Sequence, residues 1–200
     1  MKLEGILLDL VPFDSRFEEH QVEWMNGPSR DYSGWRDGFM TRFGYEQMRE
    51  RQAQEPAFTT DRLRFGLLTK DGVPIGAFSL HSLRPHYRLA EVGAMIGNPA
   101  YWGGGFGSDA MLLITEYGFR WLDFQRLYLV TMGHNLRAQH QVEKCGYTLE
   151  GRRRDASFHE GYTDSVVYGL LRDEWPGYEV MVQRLKLHER AQQRGYEEEI

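Results

Sequence analysis

The feature that most constrains this chain is a run in which four of five residues are glycine, Gly103-Gly104-Gly105-Phe106-Gly107. It stands between residues 89–96, an apolar run that predicts a strand, and residues 108–122, whose apolar side chains recur with helical spacing. Backbone N–H groups that carry no side chain, together with the first turn of a helix, form a binding site for anions such as phosphate. We therefore predict a phosphate-binding loop here, and the alternative is a flexible turn without a ligand.

Two common phosphate-binding folds do not fit the residues around this loop. A P-loop needs Gly-Lys-Ser/Thr for the β- and γ-phosphates and magnesium, and none follows the glycines. A dinucleotide-binding fold needs an acidic residue after the next strand to bind a ribose, and residues 126–131 are followed by Met132-Gly133-His134. The sequence therefore argues against an NTPase and against a dinucleotide-dependent enzyme.

The sequence contains no Ser/Gly/Pro-rich linker, repeat or low-complexity tract, and 200 residues predict one domain with a single core. Residues 64–69 and 73–80 flank Lys70-Asp71-Gly72, which predicts a hairpin with a type I′ turn. We predict that the domain covers residues 1–176 and that residues 177–200 form a helical extension, with its helix at 179–192. Further strands are predicted at 5–10, 126–131, 147–158 and 162–171, and further helices at 13–24 and 135–144.

Charge and cysteine content narrow the class of protein. The chain has 24 Lys and Arg against 29 Asp and Glu, a formal net charge of −5, which disfavours nucleic acid and anionic membranes as partners. No apolar run is long enough to span a bilayer, and the first residues lack the apolar core of a signal peptide, so we expect a cytoplasmic protein. The single cysteine, Cys145, allows no intrachain disulfide, and we expect it to pack at a helix end. The histidines lack the spacing of a metal site, so we expect no metal and surface positions for His81, His86, His134 and His140.

Several motifs between residues 96 and 175 resemble the GNAT N-acetyltransferases, in particular the branch that includes ribosomal-protein N-terminal alanine acetyltransferases. Residues 101–107, YWGGGFG, are similar to that branch's pyrophosphate-binding loop for acetyl-CoA. Residues 135–138, NLRA, and 143–147, EKCGY, resemble a family helix and its closing motif, and residues 171–175, LRDEW, resemble a common family ending. The resemblance implies an α/β (α+β) fold of three layers, with a splayed, mixed and mostly antiparallel central sheet flanked by helices.

The resemblance also implies acetyl-CoA as the co-substrate, without a metal. Pantetheine would lie between the strand that ends near Ile96 and the strand at 126–131, Asn135 would orient CoA, and Arg137 would lie near the phosphates. The implied acetyl-CoA-binding residues are Ile96, Trp102, Gly103, Gly104, Gly105, Phe106, Gly107, Ser108, Asn135 and Arg137, and the implied catalytic residues are Glu91 and Asn135.

Glu91 is the candidate acceptor of the amine's proton, because the family often has a carboxylate at this place in the central strand. An ordinary ion pair to Arg84 or Arg88 is the alternative. The chain departs from the family at Val142, where a tyrosine usually protonates the departing thiolate, and at Gly104, where relatives frequently have Lys or Arg. These two departures keep open a CoA-binding sensor that does not turn over.

The acceptor is expected to be an amine. Residues 28–44 combine turn formers with aromatic side chains and fit neither helical nor strand spacing, so we predict a loop on the acceptor side. Tyr32 and Trp35 from this loop, with Arg84 and Tyr87 from the following turn, are the predicted acceptor-binding residues. A protein N-terminus is favoured slightly over a polyamine, an aminoglycoside or another small amine.

The C-terminal segment raises the question of oligomeric state. Val182, Leu185 and Leu187 lie beyond the point where the family core ends, and such apolar side chains need a surface that covers them. We predict a homodimer, with packing of this helix on its own domain as the alternative.

Overall fold

The computed structural model describes residues 1–32, 42–54, 57–58 and 61–196. The strands are β1 (Leu3–Glu4), β2 (Leu8–Pro12), β3 (Arg62–Thr69), β4 (Pro74–Arg84), β5 (Leu89–Ile96), β6 (Arg126–Met132), β7 (Thr148–Phe158) and β8 (Tyr162–Leu171). The α-helices are α1 (Ser15–Asn26), α2 (Arg42–Gln54), α3 (Phe106–Glu116), α4 (Leu136–Lys144), α5 (Tyr178–Arg184) and α6 (Leu187–Gln192), and α3 continues into a π-helical turn at Tyr117–Trp121.

The described strands form one sheet in the order β1–β2–β3–β4–β5–β6–β8–β7. All neighbouring strands are antiparallel except β5 and β6, which are parallel. The predicted mixed and mostly antiparallel sheet is therefore confirmed.

Helices cover both faces of this sheet. Successive side chains of a strand point to opposite faces, and on β2 Leu10 joins the large core that contains α3. Its neighbour Val11 belongs to a second cluster with Phe17 and Trp24 of α1. The Phe17 ring occupies space that only a glycine leaves, because a Cβ at Gly66 of β3 would overlap it. The sheet between these two clusters is the middle layer of three.

The hairpin of β3 and β4 lies at the predicted place, but its turn is not of type I′. A type I′ turn needs a positive φ at both central residues, and in this turn only Gly72 has one, of 78°. The Gly72 N–H donates to the Thr69 carbonyl oxygen, and the Thr69 N–H donates to the Val73 carbonyl oxygen. This is the pattern of a type I turn followed by a left-handed glycine.

Helix α2 was not predicted. Its sequence, RFGYEQMRERQAQ, is mostly polar and lacks the apolar stripe by which a helix is recognised. The segment predicted as an irregular loop, residues 28–44, begins as a short 3-10 helix, Pro28–Tyr32, and from Arg42 it belongs to α2.

The C-terminal segment forms two short helices rather than one helix over residues 179–192. Lys186 has a left-handed φ of 54° between α5 and α6, which interrupts the helix. Val182 and Leu187 are 0% and 1% exposed and belong to the same core as α3, and Leu185 is partly buried against it. The apolar side chains for which we predicted a partner subunit are therefore covered within the chain, and the reason given for a homodimer is wrong.

Candidate active site

The sheet opens between β5 and β6. The parallel pairing of these strands comprises three residue pairs and ends at Glu91 and Tyr128. Beyond that point β5 stays paired with β4 as far as Ile96, and β6 stays paired with β8 as far as Met132. The facing edges of β5 and β6 therefore have no strand partner within the described residues. An extended ligand that carries amides can hydrogen-bond to such an edge, as an added strand does.

A cleft of about 1880 Å³ occupies this opening. It extends from the glycine loop and the first turn of α3, along the open strand edges, to side chains of β3 and β4. Although the chain has a net charge of −5, Asp61 and Glu91 are the only acidic residues among the described residues that line the cleft. A polyanionic ligand therefore fits it. The cationic side chains there are Arg30, Arg62, Arg64, Arg84, Arg137, Lys144, Arg153 and Arg190.

The glycine loop leads the chain from β5 into α3. Gly103 and Gly105 have φ values of 77° and 96°, a region that residues with a Cβ rarely adopt. Trp102 fixes the loop to the end of β5, because its indole N–H donates to the Ile96 carbonyl oxygen at 2.8 Å. Ser108 lies in the first turn of α3 and lines the cleft, where amide N–H groups have no partner within the helix. The loop thus has the geometry of an anion-binding site.

Arg137 lies over an aromatic side chain of the glycine loop. Its guanidinium carbon is 3.6 Å from the centre of the Trp102 ring and 5.0 Å from that of Tyr32. Burial lowers the pKa of Arg137 from its usual value, although an arginine side chain in a protein keeps its charge at neutral pH. Tyr32 was predicted on the acceptor side, and the structure places it with Trp102 and Arg137 instead.

Asn135 caps helix α4. Its side-chain oxygen accepts a hydrogen bond from the Ala138 N–H at 3.2 Å, and its amide nitrogen donates to the Thr131 hydroxyl at 3.4 Å. The residue lines the cleft at the end of β6. The capping bond fixes the orientation of the amide, so that its remaining N–H donor is held in one direction.

Glu91 is half-buried at the point where the two strands separate. Within the described residues it forms no ion pair, and Arg88, one of the two candidates for such a pair, is bound instead to Asp123 at 2.8 Å. Burial, the Glu91 charge and a side-chain hydrogen bond with Glu91 raise the pKa of Tyr128. The Glu91 carboxylate thus lines the cleft beside a tyrosine rather than in an ion pair.

His81 lies beside Glu91 and was missed as a site residue. The β4–β5 register pairs His81 with Glu91, and the His81 ring lies over Gly93, where a Cβ would be 3.0 Å from the imidazole Nε2. The expectation of a surface histidine is wrong, because the side chain is half-buried and lines the cleft. Burial lowers its pKa below 6.5, although the Glu91 charge acts in the opposite direction, and the Arg62 charge lowers it further. Only the strand register, which the sequence does not contain, reveals this pair.

The structure brings most of the predicted site residues to one cleft. Trp35 lies outside the described residues. Tyr87 is 71% exposed in the turn after β4 and does not line the cleft. The Phe106 side chain is fully buried in the core, so only its backbone could contact a ligand. The predicted residues that line the cleft are Tyr32, Arg84, Glu91, Ile96, Trp102, Gly103, Gly105, Gly107, Ser108, Asn135 and Arg137.

Val142 of α4 and Cys145, which follows this helix, cannot act as a general acid or as a nucleophile. Val142 is buried and lines the cleft, so that no hydroxyl is present at this position. The Cys145 thiol is buried, which raises its pKa to about 12 and makes it a poor nucleophile.

The described ranges contain no group of three or more His, Cys, Asp or Glu side chains that could hold a metal ion. None of their helices is both long and apolar enough to cross a membrane.

Comparison with known proteins agrees with this geometry. A family model described as an acetyltransferase (GNAT) domain matches residues 8–148. The chain is 32% identical over 111 residues to a Bacillus subtilis (strain 168) protein named "Putative ribosomal N-acetyltransferase YdaF", covering 55% of this chain and 60% of that protein. It is 33% identical over 106 residues to a spermidine N(1)-acetyltransferase of Escherichia coli (strain K12), covering 52% of this chain and 56% of that one. The matches thus span less than two thirds of the length of these relatives.

Solved structures share the fold. The structure of spermidine N-acetyltransferase from Vibrio cholerae in complex with CoA and spermine superposes with a TM-score of 0.72 at 22% identity. The superposition covers 84% of this chain and 97% of that chain. At this identity the similarity establishes the fold alone, and the fold class predicted from the sequence is confirmed.

Proposed function

The chain belongs to the GNAT acetyltransferase family, and from this premise we propose that it transfers the acetyl group of acetyl-CoA to a primary amine. The observation that carries the proposal is the open edge between β5 and β6, with the glycine loop and Glu91 lining the same cleft. One cleft thus combines an anion site, an edge for an extended amide-containing chain, and a carboxylate.

The residues of the cleft fit acetyl-CoA. The amides of the glycine loop and of the first turn of α3 would bind its diphosphate. The positive φ values of Gly103 and Gly105 favour glycine at both positions, so that no side chain covers these amides. Arg137, held against Trp102, would bind a phosphate oxygen through a charge-assisted hydrogen bond. The open edge of β5 beyond Glu91 would pair with the amides of the pantetheine arm.

Acetyl transfer forms a carbon–nitrogen bond, breaks the carbon–sulfur bond of the thioester and moves one proton from the amine to the departing thiol. Acetyl-CoA supplies an activated acyl group, so the protein has mainly to position the amine and to take its proton. Glu91 accepts that proton, directly or through a water molecule. Burial lowers the pKa of His81, which favours the neutral imidazole as a second proton acceptor beside Glu91.

The thiol leaves without a tyrosine at the usual position, since Val142 stands there. A thiol has a pKa of about 8.5, so that its thiolate is a tolerable leaving group. A general acid typically contributes roughly 10²- to 10⁴-fold, and its absence slows the step without preventing it.

The acceptor we propose is a protein N-terminus rather than a polyamine. The side chains of β3 and β4 that line the cleft include Arg62, Arg64 and Arg84, and the acidic residues that line it are Asp61 and Glu91. A polyamine would bring its further ammonium groups close to these guanidinium groups, and like charges in a cleft disfavour binding. A peptide with one amine and nearby carboxylates fits this charge distribution.

The proposal is tested by release of CoA thiol from acetyl-CoA against a panel of acceptors. The panel contains peptides with an N-terminal alanine followed by acidic or by basic residues, spermidine, spermine and an aminoglycoside. We expect acceptor-dependent thiol release that is fastest with the acidic peptide. A preference for spermidine would contradict the proposed acceptor, and acetyl-CoA binding without thiol release for any acceptor would indicate a sensor.

A further inference from the structure

The C-terminal helices bring two arginines to the glycine loop. Arg190 of α6 lines the cleft together with Gly103 and Gly105, and a Cβ at Gly105 would lie 3.0 Å from the Arg190 Cδ. Arg194 follows α6 and, like Gly104, does not itself line the cleft, but its guanidinium lies against Gly104, where an added Cβ would overlap it. The same guanidinium is 4.6 Å from the centre of the Phe106 ring, at the beginning of α3.

The backbone that carries these arginines is held in place on the domain. The Tyr178 hydroxyl donates to Asp109 of α3 at 2.9 Å, and the Trp175 indole N–H donates to Glu116 of α3 at 2.7 Å. On the far side of α6, the Tyr196 hydroxyl donates to Asp71 of the β3–β4 turn at 2.6 Å. The two arginines are therefore presented to the loop from a fixed support.

Neither guanidinium is neutralised by an acidic partner within the described residues. The nearest acid along α6, Glu189, pairs instead with Lys186 at 3.5 Å. Two unpaired cations beside backbone N–H groups at a helix N-terminus create a positive potential that is favourable for an anionic group such as a phosphate.

We propose that Arg190 and Arg194 bind the phosphate groups of acetyl-CoA, so that the C-terminal segment completes the phosphate site of the domain. This inference rests on the proposed function, and it adds a binding role for residues that lie outside the family match at 8–148. The domain supplies the amides of the glycine loop and the charge of Arg137, and the segment adds two further positive charges beside Gly104 and Gly105.

The test measures the affinity of the full-length protein for acetyl-CoA by isothermal titration calorimetry at several salt concentrations. The double variant Arg190→Gln/Arg194→Gln keeps much of each side chain's length but removes both charges. We expect its Kd to rise at least about tenfold, because hydrogen bonds from charged groups contribute strongly to binding. The Kd of the variant should also depend less on salt, because dissolved ions screen the attraction between charges. Arg190→Lys/Arg194→Lys should restore most of the affinity. Arg184→Gln, an exposed arginine of α5 that does not line the cleft, is the matched control and should bind within about twofold of wild type.

S-acetylpantetheine, which lacks the diphosphate and the adenosine, separates phosphate binding from packing. The glutamine variant should use this donor with unchanged kcat/KM. If the folded variant binds acetyl-CoA within twofold of wild type, the inference is wrong and the proposed function stands. An equal loss with S-acetylpantetheine, or a loss that lysine does not restore, would assign the arginines to packing and also contradict the inference. If the wild-type protein does not bind acetyl-CoA, the proposed function fails and the inference fails with it.

Discussion

At the scale of single residues, Glu91 combines three properties that a proton acceptor needs. It lies where strand pairing ends and the cleft begins, it forms no ion pair within the described residues, and its neighbour His81 has a pKa below the usual value. An acid that served only to stabilise the sheet would be paired with a cation, and Arg88 binds Asp123 instead.

Glu91→Gln should lower kcat at least about tenfold, because glutamine cannot accept a proton from the amine. Affinity for acetyl-CoA should change less than about twofold, since the carboxylate acts on the acceptor. Steady-state kinetics and calorimetry measure the two effects. Glu4→Gln, an exposed acid on the edge strand β1, is the control and should leave both unchanged. A kcat for Glu91→Gln within twofold of wild type would show that Glu91 is not the acceptor.

Gly103 is the position at which charge in the glycine loop can be tested with least disturbance. A Cβ at Gly103 meets no atom within 4 Å, whereas at Gly105 it would lie 3.0 Å from both Leu7 and Arg190. Asp and Asn tolerate the left-handed φ of 77° at Gly103 similarly. We expect Gly103→Asp to bind acetyl-CoA at least about tenfold more weakly than Gly103→Asn, because only Asp sets a negative charge against the phosphates. Equal calorimetric affinities of the two variants would argue against a phosphate site.

At the scale of elements, the first turn of α3 joins β2 to the C-terminal helices through one carboxylate. Asp109 accepts hydrogen bonds from the backbone N–H groups of Leu7 and Leu8 at 2.6 and 3.2 Å, and from the Tyr178 hydroxyl at 2.9 Å. Burial raises its pKa to about 6, although these hydrogen bonds act in the opposite direction. Helix α3, which follows the glycine loop, is thus held in place by the Asp109 carboxyl group, and this group titrates in a mildly acidic range.

Asp109→Asn should remove a pH dependence of stability. The folded-state pKa of about 6 exceeds the ordinary value of 3.8. The carboxyl group therefore stabilises the folded state most below pH 3.8, and this stabilisation is lost as the pH rises to 6. A change of that size corresponds to about 3 kcal/mol. Between pH 4 and pH 7 the free energy of unfolding of the variant, relative to that of wild type, should therefore rise by about this amount.

Urea unfolding at a series of pH values measures this difference. Asp173→Asn, at an exposed aspartate, is the control and should show no such trend. A difference between Asp109→Asn and wild type that stays constant with pH would mean that Asp109 has an ordinary pKa.

At the scale of the whole molecule, the C-terminal segment is part of the core rather than an appendage. Met181, Val182, Leu187 and Ala191 are buried in the same cluster as α3 and the sheet. Leu187 and Arg190 of this segment pack beside Gly105 of the glycine loop, and Arg190 also lines the cleft. Removing its packing should affect both stability and acetyl-CoA binding.

Leu187→Ala should lower the free energy of unfolding by about 2–5 kcal/mol, the range for a fully buried leucine. The molecular mass in solution should not change, because this side chain packs within its own chain. Val180 of α5 is 44% exposed, and Val180→Ala should stay within about 0.5 kcal/mol of wild type. Urea unfolding and light scattering measure the two properties. A smaller mass for Leu187→Ala than for wild type would place this side chain at a subunit interface instead.

The sequence by itself determined the local features of this protein. The glycine run, the strand before it and the helical stripe after it follow from backbone freedom and side-chain periodicity, which are properties of neighbouring residues. The same holds for the hairpin of β3 and β4, although its turn type also depended on the φ of Asp71, which residue preferences alone did not fix. The polar helix α2 was missed because it has no apolar stripe to reveal it.

Only the tertiary structure decided how distant segments combine into a site. The cleft exists because β5 and β6 stop pairing after Glu91 while each keeps its other neighbour, and that depends on the register of four strands. Register likewise set His81 beside Glu91, and packing of α5 and α6 on α3 set Arg190 beside the glycine loop. Each of these contacts joins residues of different strands or helices, and periodicity within one segment carries no information about which face of another segment it will meet.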